Sequence, residues 1–181
     1  MITYGDASPG GEHTSEDTMT YPGLLFLALL LGTAHASSPR ATRVMVDKSD
    51  RLMQVFAGDK VIATYAIGLG TAPVGHKLRE GDRRTPEGRY RLDFKKRDST
   101  FFRAIHISYP NAADRARARE AGVSPGGDIM IHGESNDPAQ REAIRRRPSR
   151  DYTYGCIALS NADMQRFWDQ VSVPIPIDIV P

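Results

Sequence analysis

Thr153-Tyr154-Gly155-Cys156-Ile157-Ala158-Leu159 contains the only cysteine of the 181-residue chain. A single Cys excludes an intramolecular disulfide framework and a four-Cys zinc site. Three readings of the thiol remain: a buried structural group, an intermolecular bridge, or a nucleophile. The neighbours bear on this choice. Gly155 removes a side chain beside the sulfur, so a substrate backbone could approach closely. It also permits a turn that aims backbone N–H groups at a developing oxyanion. Ile157 and Leu159 then alternate with Ala158, which anchors the following strand in the core.

A thiol reacts as its thiolate, so a nucleophilic Cys needs a base or a cation nearby. The chain has five His. His13 and His35 lie in the N-terminal tail, and His76 lies in a Gly-rich loop. His106 alternates within an apolar strand, the pattern of a core histidine satisfied by a neighbour. His132 ends the apolar run Ile129-Met130-Ile131 and is followed by Gly133. An imidazole at a strand end, where the chain turns, is a common address for catalysis. A structural hydrogen bond is the alternative for any single His so placed.

Outward from these two segments the chain reads as mainly β. Strands are expected at Val44–Val46, Arg51–Phe56, Arg103–Ser108 and Asp128–His132. Val61, Ala63, Tyr65 and Ile67 alternate, as do Tyr90, Leu92 and Phe94, each set predicting one buried strand face. Gly68 to Asp82 is rich in Gly and Pro and reads as loop, and Thr85-Pro86-Glu87-Gly88 as a tight turn. Three short helices are expected. One runs from Asn111 to Ala121 and stops at Gly122. A second starts at Asp137-Pro138 and ends before Pro148. The third is capped by Ser160 with Asp163, and Met164, Phe167, Trp168 and Val171 form its apolar stripe. Val173, Ile175, Ile177 and Ile179 close the chain as a strand. Pro174 and Pro176 cannot donate ladder bonds, which predicts that this strand lies at an edge. The strand–helix alternation of a doubly wound sheet is missing.

The N-terminus predicts export. Leu24 to Leu31 is an unbroken apolar run, the length of a signal-peptide core and far short of the roughly 20 residues that span a bilayer. Ala34-His35-Ala36 offers a small-x-small cleavage site, so residues 1–36 read as an N-terminal extension and signal peptide. Those residues hold no Lys or Arg and four acids, Asp6, Glu12, Glu16 and Asp17; the rest of the chain carries 24 cations against 18 acids. A basic body suits an anionic cell envelope, although solubility alone explains it as well. Composition, with 40% hydrophobic and 25% charged residues, excludes a wholly disordered chain and a multi-span membrane protein. Arg145-Arg146-Arg147 and Arg150 form a cationic run that reads first as a solvated helix end and second as a site for an anionic envelope polymer. Aromatic interleaving is missing, which argues against nucleic acid. No His-Glu-x-x-His pair argues for a metal.

His132-Gly133 followed by Gly155-Cys156-Ile157 resembles the signature of the L,D-transpeptidase catalytic-domain family of bacterial cell-wall enzymes. Val46-Asp47-Lys48-Ser49, Gly81-Asp82, Thr85-Pro86-Glu87-Gly88 and His106-Ile107-Ser108-Tyr109-Pro110-Asn111 extend the resemblance over residues 42–181. It implies the β-sandwich-like catalytic fold of that family, with about three short helices. It also implies that Cys156 attacks a peptide carbonyl and carries the acyl group as a thioester. His132 would take and return protons, oriented by the backbone carbonyl of Gly133. The N–H groups of Gly155 and Cys156 would hold the oxyanion, and Thr153 and Tyr154 would border the substrate. The implied substrates are peptidoglycan stem peptides, with an amine, possible on an envelope protein, as acceptor. No cofactor or metal is implied, and contact with a membrane would come only through an uncleaved signal segment.

The chain departs from the commonest pattern of the family, which reads Ser-His before Gly-Cys and Arg two residues after it. Thr153 keeps the hydroxyl, Tyr154 replaces the His, and Ala158 replaces the Arg. This resembles a branch of the family in which some members cleave linkages. Transfer to an amine is therefore the first expectation. Hydrolysis of peptidoglycan or of lipoprotein–peptidoglycan linkages on the same fold is the second, and a noncatalytic wall-binding domain is the third. The helical stretch Asp137 to Arg147 is expected to border the substrate cleft as a lid.

Overall fold

A computed structural model describes residues 39–181. The expected signal segment and its cleavage site lie outside the described residues. The elements follow the order β1 (Arg43–Asp47), β2 (Leu52–Ala57), β3 (Lys60–Ala66), β4 (Gly88–Lys96), β5 (Ala104–Ile107), α1 (Ala112–Glu120), β6 (Met130–His132), α2 (Pro138–Arg145), β7 (Ile157–Ala158), α3 (Asn161–Gln170) and β8 (Ile175–Val180). The expected mainly β fold with three short helices is what the chain adopts. Its strands join one eight-stranded mixed sheet in the order β3-β2-β1-β8-β4-β5-β6-β7.

The core follows the alternation in the strands. Val44 and Val46 of β1, Met53 and Val55 of β2, Ile105 and Ile107 of β5 and Ile177 of β8 are wholly buried. Helix α3 lays Met164, Phe167 and Trp168 on the same cluster, and Val171 joins them just past its end. Its cap is the expected one: the Ser160 hydroxyl accepts the Asp163 N–H. Asn111 and Asp114 form a reciprocal capping box on α1. Asp137 caps α2 by accepting the Ala139 N–H.

Three expectations need correction. Strand β8 is central, paired parallel to β1 and antiparallel to β4. Pro174 precedes the strand, and Pro176 sits opposite Arg91 of β4, one residue before the β1 ladder begins at Val44–Ile177. The missing donor therefore falls at the margin of the parallel ladder and not in its middle. The exposed edge is β3 instead. Only Tyr65 within it is fully buried, and Val61 faces solvent despite the alternating pattern. In β4 the register with β5 shifts between Leu92 and Lys95, so Phe94 is turned outward and stacks on His106. A bulge breaks the period-2 rule that predicted a buried Phe94.

Candidate active site

The two expected catalytic segments are brought together by one parallel ladder. β7 runs beside β6, with Ile131 opposite Ile157 and His132 opposite Ala158. Cys156, one residue before β7, is therefore level with Met130, whose N–H donates to its Sγ at 3.4 Å. His132 lies two residues further along, a rise of roughly 6–7 Å on the neighbouring strand. Both side chains line one cavity of about 450 Å³, together with Phe101, Tyr152, Thr153 and Tyr154. Gln140, Ala143 and Ile144 of α2 and the following Arg147 form another of its walls. The helix expected as a lid thus does border the cleft.

The turn carrying the thiol is fixed by short-range bonds. The Thr153 hydroxyl donates to the Cys156 carbonyl at 2.6 Å and accepts the Gly155 N–H at 3.1 Å. Gly155 adopts φ +128°, a conformation that L side chains rarely adopt, and a Cβ there would meet the Arg84 carbonyl at 2.6 Å. The residue type is thus set by backbone geometry and by a neighbouring loop. The two expectations for this turn come out differently from their simplest form. Thr153 is buried with its hydroxyl spent inside the turn, and the Gly155 N–H expected for an oxyanion is held by that hydroxyl. Tyr154 is exposed at the mouth, with the Arg83 guanidinium 5.3 Å from its ring centre.

His132 is buried, and its Nδ1 lies 2.7 Å from the Gly133 carbonyl oxygen. A carbonyl can only accept, so Nδ1 carries the proton and Nε2 is left as the acceptor. The Phe101 ring packs against the imidazole, with ring centres 4.1 Å apart. Burial lowers the His132 pKa, and the Gly133 carbonyl offsets only part of this. Burial also raises the Cys156 thiol; the Met130 N–H and the Lys77 ammonium oppose that rise, and Asp128 adds to it. Both groups therefore rest neutral at neutral pH, a thiol and an imidazole lining one cavity.

The other described histidines have partners of their own. His76 accepts the Glu87 N–H at Nδ1 and meets Asp114 at Nε2. His106 bonds Asp93 at 2.7 Å. Among the described residues no three His, Cys, Asp or Glu side chains come together to hold a metal ion.

A support that the sequence did not disclose lies under the thiol turn. The loop between β3 and β4 pairs with the Cys156 segment through Gly68–Ala158 and Gly70–Thr153 bridges. Its far side returns so closely that a Cβ at Gly70 would meet the Arg83 carbonyl at 2.0 Å. Within it the buried Lys77 ammonium bonds Asp82 at 2.9 Å and the Arg79 carbonyl at 3.1 Å. Burial alone would raise the Asp82 carboxyl. Lys77 and the N–H groups of Leu78, Arg84 and Arg79 outweigh it and hold the group at about 2. Tyr152 was also missed. Burial first, and then the charges of Glu134 and Cys156, push its phenol up to about 12.

The model of the L,D-transpeptidase catalytic domain, YkuD, matches residues 41–179. The chain belongs to the L,D-transpeptidase catalytic-domain family. YafK of Escherichia coli strain K12, which carries an L,D-transpeptidase name, is 33% identical over 97 residues, 50% of this chain and 37% of YafK. The helical cell shape determining protein Pgp2 from Campylobacter jejuni is 28% identical, with a TM-score of 0.60, over 77% of this chain and 47% of that one. An L,D-transpeptidase from Mycobacterium smegmatis shares the fold at 15% identity, with a TM-score of 0.50, over 78% of this chain and 59% of that one. The chain thus spans less than half the length of YafK and of Pgp2.

Proposed function

We propose that the chain is a cysteine acyltransferase of the L,D-transpeptidase type that acts on peptidoglycan stem peptides in the cell envelope. The observation that carries this reading is the shared cavity. The only Cys of the chain and a His of fixed tautomer, from adjacent parallel strands, line the same cleft.

In this reading Nε2 of His132 takes the thiol proton as Cys156 Sγ attacks the peptide carbonyl. The tetrahedral oxyanion is met by the Cys156 N–H, the Gly155 N–H joining only if Thr153 releases it. Collapse expels the leaving amine, which takes the proton from His132 and leaves a thioester. An acceptor amine then attacks with His132 again as base, and the thiol is restored. Thr153 and Gly133 act as positioning residues, one for the turn and one for the ring. Tyr154 borders the substrate at the mouth.

Turnover of a purified tetrapeptide muropeptide, read by mass spectrometry of the products, tests the reading. Loss of the terminal D-alanine with a cross-linked dimer is the expected outcome. Loss with a tripeptide alone would assign water as the acceptor, the hydrolytic alternative. No turnover and no acyl adduct would contradict catalysis on this substrate.

A further inference from the structure

A second cavity of about 300 Å³ opens beside the first. Ile144, Arg147 and Tyr152 line both, so the two spaces meet across these side chains. Its apolar floor includes Ile67, Ala158 and Leu159, and Arg145, Arg147 and Arg150 line it as well. The cationic run that the sequence offered as a plain helix end is therefore divided by the structure. Arg146 fits that plain reading: it is exposed and pairs with Glu142 one turn back. The other three arginines line a concave space.

The acids nearby are already engaged. Glu134 takes both Arg145 bonds at 3.0 Å. Asp163 is held by the Ser160 hydroxyl and by Arg166. The lining thus carries three cations against the single carboxylate of Glu134. Guanidinium groups beside an apolar floor suit a carboxylate, which they can meet through two parallel bonds. Ser149 and Ser160 place hydroxyls in the same lining.

We propose that this second cavity is a carboxylate subsite for the peptide substrate, with Arg147 spanning it and the cavity that holds Cys156. The proposal rests on the acyl-transfer reading for the identity of the peptide. A free carboxylate on the C-terminal residue and one on the third residue's side chain share this chemistry, and the test separates them.

The test is calorimetric titration of the full chain carrying Cys156→Ala with a tetrapeptide muropeptide. The same peptide amidated at its C-terminus, and a third form amidated on the third residue, serve as comparisons. The expected result is a dissociation constant roughly tenfold weaker for one amidated form, as follows from losing a charge-assisted contact. Adding Arg147→Gln or Arg150→Gln should weaken the free acid by a similar factor and erase its advantage. Adding Arg146→Gln should change neither. Equal binding of acid and both amides, no binding at all, or an unchanged constant with Arg147→Gln and Arg150→Gln together would overturn the subsite. Turnover by the unaltered chain, measured separately, distinguishes the two failures. Turnover without carboxylate preference rejects the subsite alone, and absence of both turnover and binding rejects the subsite and the peptide assignment together.

Discussion

The Cys156 turn and the loop between β3 and β4 touch each other but are held by different physics. The turn is short and uses backbone conformation, one hydroxyl and a glycine. The loop is long and without regular elements, and it is pinned by buried charge. Lys48, 2% exposed, bonds Glu87 and the Gly75 and Thr85 carbonyls. Lys77 bonds Asp82, and Asp114 bonds His76 and Tyr90. A long loop costs conformational entropy to order and has no ladder of its own to offset it. Buried ion pairs fix its shape at the risk of a large loss when one partner is removed. The placement of the Cys156 turn therefore depends on a neighbour more fragile than itself.

Lys77→Met should have the largest effect. It leaves the half-buried Asp82 carboxylate without its cation, held only by the Leu78, Arg79 and Arg84 N–H groups. Urea unfolding should show a loss of about 3 kcal/mol, the low end for a broken buried pair. The folded variant should also alkylate Cys156 with a profile moved to higher pH, because a cation that opposes the thiol's rise is gone. Gly155→Ala comes next. Backbone strain at φ +128° costs about 1–3 kcal/mol, and the Arg84 carbonyl must shift as well. Activity should fall further than the melting temperature indicates, since the turn itself is displaced. Thr153→Val should cost roughly 0.5–1.5 kcal/mol for each of its two bonds. The variant should lower kcat more than it raises KM, as expected for a residue that positions the turn and does not bind substrate. If Thr153→Val instead raised KM alone, the hydroxyl would belong to the substrate.

The two regions should also separate by pH. His132 has a folded pKa below its ordinary value, so its neutral form persists below pH 6.5. The acid limb of kcat/KM should accordingly lie below pH 6.5. Because the unfolded imidazole takes up its proton first, stability falls as pH drops from 6.5 toward the lowered folded value. Asp82, held at about 2 against an ordinary 3.8, contributes stability that is full above pH 4 and lost between there and about 2. Thermal melts across pH 7 to 2 should show the His132 loss first and the loop loss last.

Much of this architecture was legible in the sequence wherever a local rule decides the outcome. The caps at Asn111, Asp137 and Ser160 and the apolar stripe of α3 each depend on residues within one or two turns. The strand end at His132 and the lone thiol of Cys156 marked two candidate residues, and the family resemblance is what joined them; the structure lines one cavity with both. Sheet order was not legible. Whether Pro176 sits at an edge depends on where the β1 ladder starts, and whether Val61 is covered depends on whether a strand pairs beyond β3, which none does among the described residues. The Lys77–Asp82 pair was hidden because their residue types read as surface, and only the folded loop removes them from water. The second cavity was hidden for the same kind of reason. Four arginines in six positions look alike until the end of α2 pairs Arg146 with Glu142 and leaves Arg145, Arg147 and Arg150 lining the cavity.

The most direct test of the central claim is intact-mass measurement of the acyl-enzyme with a tetrapeptide muropeptide, on the unaltered chain, Cys156→Ala and His132→Ala. The account predicts a thioester adduct on the unaltered chain and no adduct or turnover with Cys156→Ala. It also predicts adduct formation slowed by roughly 10²–10⁴ with His132→Ala, the range for loss of a general base. Turnover that survives Cys156→Ala, or an adduct that forms at the full rate without His132, would contradict it.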